Sequence, residues 1–303
     1  MFDIIGDIHG QATKLIYLLN KLGYKKTSSG FFHPDYKAIF VGDLIDRGPY
    51  QLETLQIVKE MVDNQNAHVV MGNHEFNAIG WFTPNLSEEG AFLRSHNSTH
   101  HKQHKVFLAA VGENTPLHHY WVEWFKSLPL FLELDDIRII HACWDNQTIM
   151  QIAPYLDANN CLKAQSIQSA FNPSDALFDY CEVLLKGKEI TLPSGVYYHD
   201  KEGTKRHRSR IKWWLQEVNT FNELCLLPDS EQIDQLNRKI DINLQPYQEN
   251  KPVFIGHYWL TGKPVLQTIK VACVDYSAAV GNAKLVAYRW QGENELTAEH
   301  FIY

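Results

Sequence analysis

Five short apolar runs punctuate the chain, each closed by glycine or histidine. They are Phe2-Asp3-Ile4-Ile5, Ala38-Ile39-Phe40-Val41, Ala67-His68-Val69-Val70-Met71, Ile137-Arg138-Ile139-Ile140 and Pro252-Val253-Phe254-Ile255. Their length and β-branched content predict buried strands. Between the first three the period changes to that of a helix. Leu15, Ile16, Leu18, Leu19 and Leu22 form an apolar stripe that stops at Gly23, and Leu52, Leu55, Val58 and Met61 mark a second helix. This β-α-β-α-β opening predicts a parallel sheet with right-handed crossovers.

Downstream the pattern loosens. Residues 82–119 are polar and rich in histidine, with His96, His100 and His104 spaced i, i+4, i+8. No carboxylate or cysteine completes a ligand set there, so a solvated insertion is expected rather than an accessory metal site or a substrate flap. Trp121, Trp124 and Phe125 are expected to pack as core. The apolar stretches on either side of Asp135-Asp136 predict a hairpin that delivers His141. Residues 149–250 predict a mainly helical, cap-like insertion, with helices over 175–185 and 230–239. Beyond Pro252 the runs 253–255, 269–274, 283–288 and 299–302 are expected to build a second sheet.

Bulk properties narrow the classes. The chain of 303 residues is 45% hydrophobic, as a globular protein with a sizeable core requires. No apolar run approaches the roughly 18 residues of a membrane span. A net charge of −7 argues against wholesale nucleic-acid binding. Five scattered cysteines (143, 161, 181, 225, 273) form no C-x-x-C pair, and the first strand begins at Phe2. Reduced thiols and a cytoplasmic location are expected.

The chemistry sits where the strands end. Gly6-Asp7-Ile8-His9-Gly10 follows the first, Gly42-Asp43-Leu44-Ile45-Asp46-Arg47-Gly48 the second and Gly72-Asn73-His74-Glu75 the third, while His141 and Gly256-His257 follow the last two. Open α/β sheets bind ligands at such strand ends. Asp, His and Asn without cysteine suit a divalent pair of borderline-hard metals: manganese first, iron or zinc as alternatives.

These motifs resemble the calcineurin-like metallophosphoesterases. The Asp-Arg-Gly and Gly-Asn-His-Glu forms are similar to the phosphoprotein-phosphatase branch, which also includes bacterial diadenosine tetraphosphatases. The resemblance implies one α/β domain over 1–303, with two packed mixed β-sheets flanked by helices in a four-layer fold, carrying the helical cap. It implies two metals, one held by Asp7 and His9, the other by Asn73, His141 and His257, with Asp43 bridging. It implies His74 as general acid oriented by Asp46, with Arg47 and Asn73 on the substrate phosphate. The family's second arginine has three candidates, Arg206, Arg208 and Arg210, of which Arg206 and Arg210 are preferred here; a basic surface loop is the alternative. Glu75 is expected to support the site rather than ligate, and Asp275 either to support it or to form a β-turn. Where eukaryotic members usually carry glycines after the equivalent of His141, this chain has Ala142-Cys143-Trp144-Asp145, so Trp144 is expected to line the cleft.

The implied activity is hydrolysis of phosphate monoesters by direct attack of a metal-bound hydroxide, with phosphoprotein side chains as the expected substrate. A symmetrical diadenosine tetraphosphate hydrolase, with tryptophans and arginines holding the nucleotide, is the first alternative. A metal-dependent protein that binds without turnover is the second.

Overall fold

The computed structural model describes residues 1–199, 203–227, 234–240, 247 and 249–303. The first half runs β1 (Phe2–Ile5), α1 (Ala12–Leu22), β2 (Lys25–Thr27), β3 (Gly30–Phe32), β4 (Lys37–Phe40), α2 (Gln51–Asp63), β5 (Ala67–Val69), α3 (Asn73–Phe82), α4 (Ser98–Val111), α5 (Pro116–Lys126), β6 (Phe131–Glu133) and β7 (Arg138–Ile140). Next come α6 (Asn146–Ile152), α7 (Ile167–Ala170), α8 (Ala176–Lys186), β8 (Glu189–Thr191), β9 (Tyr198–His199), β10 (Lys205–Arg206), β11 (Arg208–Arg210) and α9 (Phe221–Leu224). The chain closes with β12 (Val253–Ile255), β13 (Val271–Cys273), β14 (Ala287–Trp290) and β15 (Phe301–Ile302).

Two sheets carry the fold, in the orders β15-β14-β1-β4-β5 and β13-β12-β7-β6. In the first, β1, β4 and β5 are parallel, β14 runs antiparallel to β1 and β15 antiparallel to β14; in the second, β7, β12 and β13 are parallel and β6 antiparallel. Side chains alternate between two cores, because successive strand residues face opposite sides. Ile4, Ile39, Ile139 and Phe254 meet between the sheets, whereas Ile5, Phe40, Ile140 and Ile255 face the helices. Both faces of each sheet are therefore covered, which is why these strands read as unbroken apolar runs. Helix α1 lays Leu15, Leu18, Leu19 and Leu22 on the helix-side core and ends on Gly23 at φ +95°, as its stripe requires.

The fold differs from the expectations in three places. The strands after Pro252 do not form a sheet of their own. β12 and β13 extend the sheet of the β6–β7 hairpin, while β14 and β15 return to β1, with Arg289 bound to Asp3 through both carboxylate oxygens at 2.8 and 2.9 Å. The helical character expected over 149–250 holds only as far as Lys186; from Glu189 the chain makes short antiparallel pairs, β8 with β11 and β9 with β10. Of the helix expected over 230–239, residues 230–233 lie outside the described residues, and Asp234–Asn237 is a single 3₁₀ turn. Finally, 82–119, expected as a solvated insertion, contains α4 and the start of α5, and α4 buries His104, Phe107, Leu108 and Val111.

Trp144, Trp213 and Trp214 serve packing. Trp144 is buried against Phe131 with its indole N–H on Asn146 Oδ1, so it lines no cleft. Trp213 and Trp214 are buried as well, and Trp213 donates to the Ala142 carbonyl and the Tyr258 hydroxyl. All five cysteines are buried and free, and among the described residues no helix is long and apolar enough to cross a membrane.

Candidate metal centre

The parallel strands of both sheets end on one edge, and their following residues meet there. β1 delivers Asp7 and His9, β4 delivers Asp43, and β5 leads into Asn73 and His74 at the start of α3. From the second sheet β7 ends at His141, β12 leads to His257, and β13 leads to Asp275. All these side chains except Asn73 are buried. The loops need unusual backbone to turn so tightly: His9, Asp43, Asp46, Arg47, His257 and Trp259 all have φ between +48° and +70°. Such conformations cost on the order of 1–3 kcal/mol each and concentrate at functional sites.

Two glycines are dictated by close approach. Gly42 has φ +97°, and a Cβ there would meet the Gly72 nitrogen at 2.4 Å. A Cβ on Gly256 would stand 2.1 Å from Asp7 Oδ1. Glu75 ties the loops together, accepting from the backbone N–H groups of Asp43 (2.9 Å), Leu44 (2.8 Å), Ile45 (3.3 Å) and Gly72 (3.0 Å). Burial and the neighbouring Asp43 nevertheless push its carboxyl up to about 7.

Hydrogen bonds fix which imidazole nitrogen faces inward. His9 Nδ1 lies 2.8 Å from the Ile45 carbonyl and His141 Nδ1 lies 2.7 Å from the Val41 carbonyl. A carbonyl only accepts, so each Nδ1 carries the proton and each Nε2 presents a lone pair to the site. Ligand-capable atoms of His9, Asp43 and His74 lie within 4.8 Å of one another, as do those of Asp43, His141 and His257. Asp43 belongs to both sets. Asn73 Oδ1 sits 2.7 Å from His257 Nδ1 and 3.1 Å from His141 Nε2. Asp7 falls outside both sets; its Oδ2 accepts the His257 backbone N–H at 3.0 Å.

Three atoms decide whether metal fits. Asp7 Oδ1, His9 Nε2 and His257 Nε2 are buried without a hydrogen-bond partner. Buried polar atoms are seldom left unpaired, and all three belong to the same wall. Burial, Asp275 and Asp43 together push the Asp7 carboxyl well above its usual range, a crowding that divalent charge would relieve. Burial, followed by the charges of Arg47 and Arg210 respectively, holds His9 and His257 well below the ordinary imidazole value, in the neutral ligating form. The donor set suits a pair of divalent ions.

Around this wall lie the groups expected to handle substrate. His74 Nδ1 is 2.6 Å from Asp46 Oδ2, and its backbone N–H donates to Asp43 Oδ1 at 2.9 Å. Arg47 Nη2 is 3.4 Å from His74 Nε2, and its guanidinium lies 3.4 Å above the Trp259 ring. Arg210 is partly buried with an unpartnered Nε, and its charge bears on His257. Arg206 and Arg208 are exposed, Arg208 lying 3.5 Å from Glu189. Asp275 accepts the backbone N–H groups of Trp259 and Ser277, so it holds the loop that carries Trp259.

Sequence reasoning missed two of these groups. Trp259 had no motif to flag it beyond lying two residues past His257. His104 did, in its spacing with His96 and His100, but the three diverge. His96 is sandwiched between Trp81 and Phe92 at 3.8 and 4.2 Å, His100 caps the local turn on Ser95, and His104 alone of the three is buried.

Residues 1–147 match the sequence profile of the family described as calcineurin-like phosphoesterase. Residues 1–147 thus carry a calcineurin-like phosphoesterase domain, and divalent metals are the cofactors of that family. A protein of Halalkalibacterium halodurans named an asymmetrical bis(5'-nucleosyl)-tetraphosphatase is 49% identical over 24% of this chain and 30% of its own length. A protein of the same name from a Geobacillus strain is 33% identical over 46% of this chain and 55% of its own. The chain thus spans about half the length, or less, of these curated relatives. Among solved structures, a cold-active protein-tyrosine phosphatase of a psychrophilic Shewanella aligns with 95% of this chain and 74% of its own at a TM-score of 0.50 and 18% identity. That likeness bears on the fold alone.

Proposed function

We propose that this chain is a hydrolase of phosphate monoesters acting at a pair of divalent metals, manganese foremost, with phosphoprotein side chains as substrate. The observation that carries the reading is the position of the His74–Asp46 pair and Arg47 beside two ligand sets that share Asp43. Asp7 and His9 would hold one ion and Asn73, His141 and His257 the other, with Asp43 available to both. Bound there, such a pair supplies Lewis-acid polarisation of the phosphate and activates the attacking water.

The chain's own residues do the rest. Two divalent charges against the Asp7 and Asp43 carboxylates leave the site positive, and the neutral amide of Asn73 ligates without cancelling that charge. A phosphate dianion is therefore drawn in. Arg47, held flat on Trp259, offers its fork to nonbridging oxygens as charge grows on them, and Arg210 approaches from the His257 side. Asp46 accepts the Nδ1–H of His74 and aims the ring, so that in its imidazolium form the Nε2–H is the proton given to the leaving alkoxide. Donor and anion fork lie 3.4 Å apart, close enough for one phosphoester to touch both. A protein that only bound its ligand would have no use for the proton donor.

A second reading, cleavage of a dinucleoside tetraphosphate at the same site, is favoured by the names of the curated relatives. Against it, Trp213 and Trp214 are buried, so no base stacks on them. The deciding assay is turnover in manganese on phospho-Ser/Thr peptides, phospho-Tyr peptides and diadenosine tetraphosphate, with His74→Asn as control. Phosphate from peptides supports the first reading. Two ADP from the dinucleotide, or ATP with AMP, with no peptide turnover, overturns it in favour of the symmetrical or asymmetrical second reading. No turnover of any substrate in the metal-loaded protein refutes both.

A further inference from the structure

The His74–Asp46 pair has a third member. Helix α4 turns His104 inward, 4% exposed, and its Nδ1 lies 2.9 Å from Asp46 Oδ1, while Asp46 Oδ2 holds His74 Nδ1 at 2.6 Å. An ionised carboxylate only accepts, so both rings present Nδ1–H to it. Each oxygen of Asp46 thus serves one histidine. Its backbone is fixed too: φ is +68°, and the N–H donates to Gln51 Oε1 at 2.8 Å.

We propose that His104 is a positioning residue for the proton donor. By engaging Asp46 Oδ1 it stops rotation of the carboxylate, so that Oδ2 stays aimed at His74 and His74 Nε2 stays aimed at the leaving oxygen. This rests on the hydrolase reading above. Without His104, Oδ1 would be a buried acceptor with no partner, a loss that the carboxylate relieves by turning and drawing His74 after it. Burial pushes the Asp46 carboxyl up, while His104 and then His74 pull it down, leaving it well below the ordinary range. The pull of His104 is not weaker than that of the acid's own partner.

The insertion that carries His104 is built as a brace. His104 packs 5.0 Å from Phe107 and 5.9 Å from Trp81. Trp81 is itself held by its N–H on Glu113 at 2.8 Å and by the His96 stack. His104 Nε2 is buried and unpartnered, so the ring acts through one donor. Asparagine can place an amide N–H near the Nδ1 position, whereas glutamine reaches past it.

The test uses His104→Ala, His104→Asn and His104→Gln in the full chain, with two readouts. In the metal-free protein, the His74 Nδ1–H proton is followed by NMR. It should be slow to exchange in wild type and His104→Asn, and lost to exchange in His104→Ala and His104→Gln. In the metal-loaded protein, kcat of His104→Ala on an alkyl phosphate should fall about 10-fold, a fraction of what general acid catalysis supplies. On 4-nitrophenyl phosphate, whose leaving group needs no proton, it should fall less than about 2-fold, with KM unchanged. His104→Asn should restore alkyl phosphate turnover. A His74 proton unaltered in His104→Ala and His104→Gln, or an equal fall on both substrates, overturns the proposal. If His104→Ala does not fold, the contrast of Asn with Gln decides. If wild type turns over no phosphoester, the hydrolase reading falls, and the NMR readout alone judges the positioning.

Discussion

Gly256→Ala tests whether the wall around Asp7 is a ligand wall. The new Cβ would stand 2.1 Å from Asp7 Oδ1 and 2.7 Å from Val41 Cγ2, so it is caught between the two. Carbon contacts settle near 3.5 Å, and one neighbour must yield by more than an ångström. Val41 is fully buried between the sheets and cannot retreat. Asp7 can, by giving up the His257 N–H that holds its Oδ2 at 3.0 Å. Overpacking of this kind costs roughly 1–3 kcal/mol, several degrees in Tm for a chain of this size. Displacing a ligand carboxylate should in addition weaken metal binding about 10–100-fold, the loss typical when the groups orienting a ligand are disturbed. Thermal melts of the metal-free protein isolate the first effect, and manganese titration by calorimetry the second. Asp7→Asn serves as reference for losing the ligand outright. Wild-type metal affinity in Gly256→Ala, alongside the lowered Tm, would refute the placement of Asp7 among the ligands.

Other outcomes follow from the same geometry. Asp43→Asn should abolish turnover and reduce bound metal from two ions to at most one, counted by elemental analysis; two tightly held ions would refute the bridging role. Arg210→Ala should raise KM or lower kcat on phosphorylated substrates by about 10-fold or more, as for loss of one charged donor. Arg208→Ala, exposed and paired with Glu189, should change neither, and equal effects would return both to the surface. Asp145 caps α6 and accepts Lys188 Nζ at 2.7 Å; burial raises its carboxyl, but Lys188 and Thr148 win and leave it below the ordinary value. A depressed carboxyl contributes stability above its unfolded pKa, about 3.9, and loses it as pH falls through the folded value. Asp145→Asn keeps the cap and removes the charge. It should therefore lower stability by about 1 kcal/mol at pH 7 and by less at pH 3, in thermal melts.

What the sequence made legible follows how local each signal is. The glycine-flanked motifs could be read because two of the loops turn at positive φ soon after a strand, at His9 and Gly10 after β1 and at Gly42 and Asp43 after β4. The strands β1, β4 and β5 and the helices α1 and α2 were legible from period alone, whereas the short β2–β3 hairpin between α1 and β4 was not. The partner of a strand is not local, so nothing in Ala287–Trp290 says that it pairs with Phe2–Ile5 rather than with Val271–Cys273. The basic run around Arg208 reads as a loop, because strands of two or three residues leave no period to detect, and their pairing is decided by distant Glu189–Thr191. His104 shows the same limit in the site. Its helical spacing is visible, yet what makes it matter is Asp46, which no pattern in the sequence joins to it.

The order of the strands has a consequence for the birth of the molecule. β1 is flanked by β4 on one side and by β14 on the other, and His257 meets Asp7 across almost the whole length of the chain. On a ribosome, residues 1–147 emerge with most of the motifs but with one edge of β1 bare and the wall opposite Asp7 missing. Closing contacts of such sequence separation is slow, and an unpaired strand edge invites association with other chains. The nascent chain therefore passes a long interval exposed and unable to close its site, and becomes competent only once its last strands arrive.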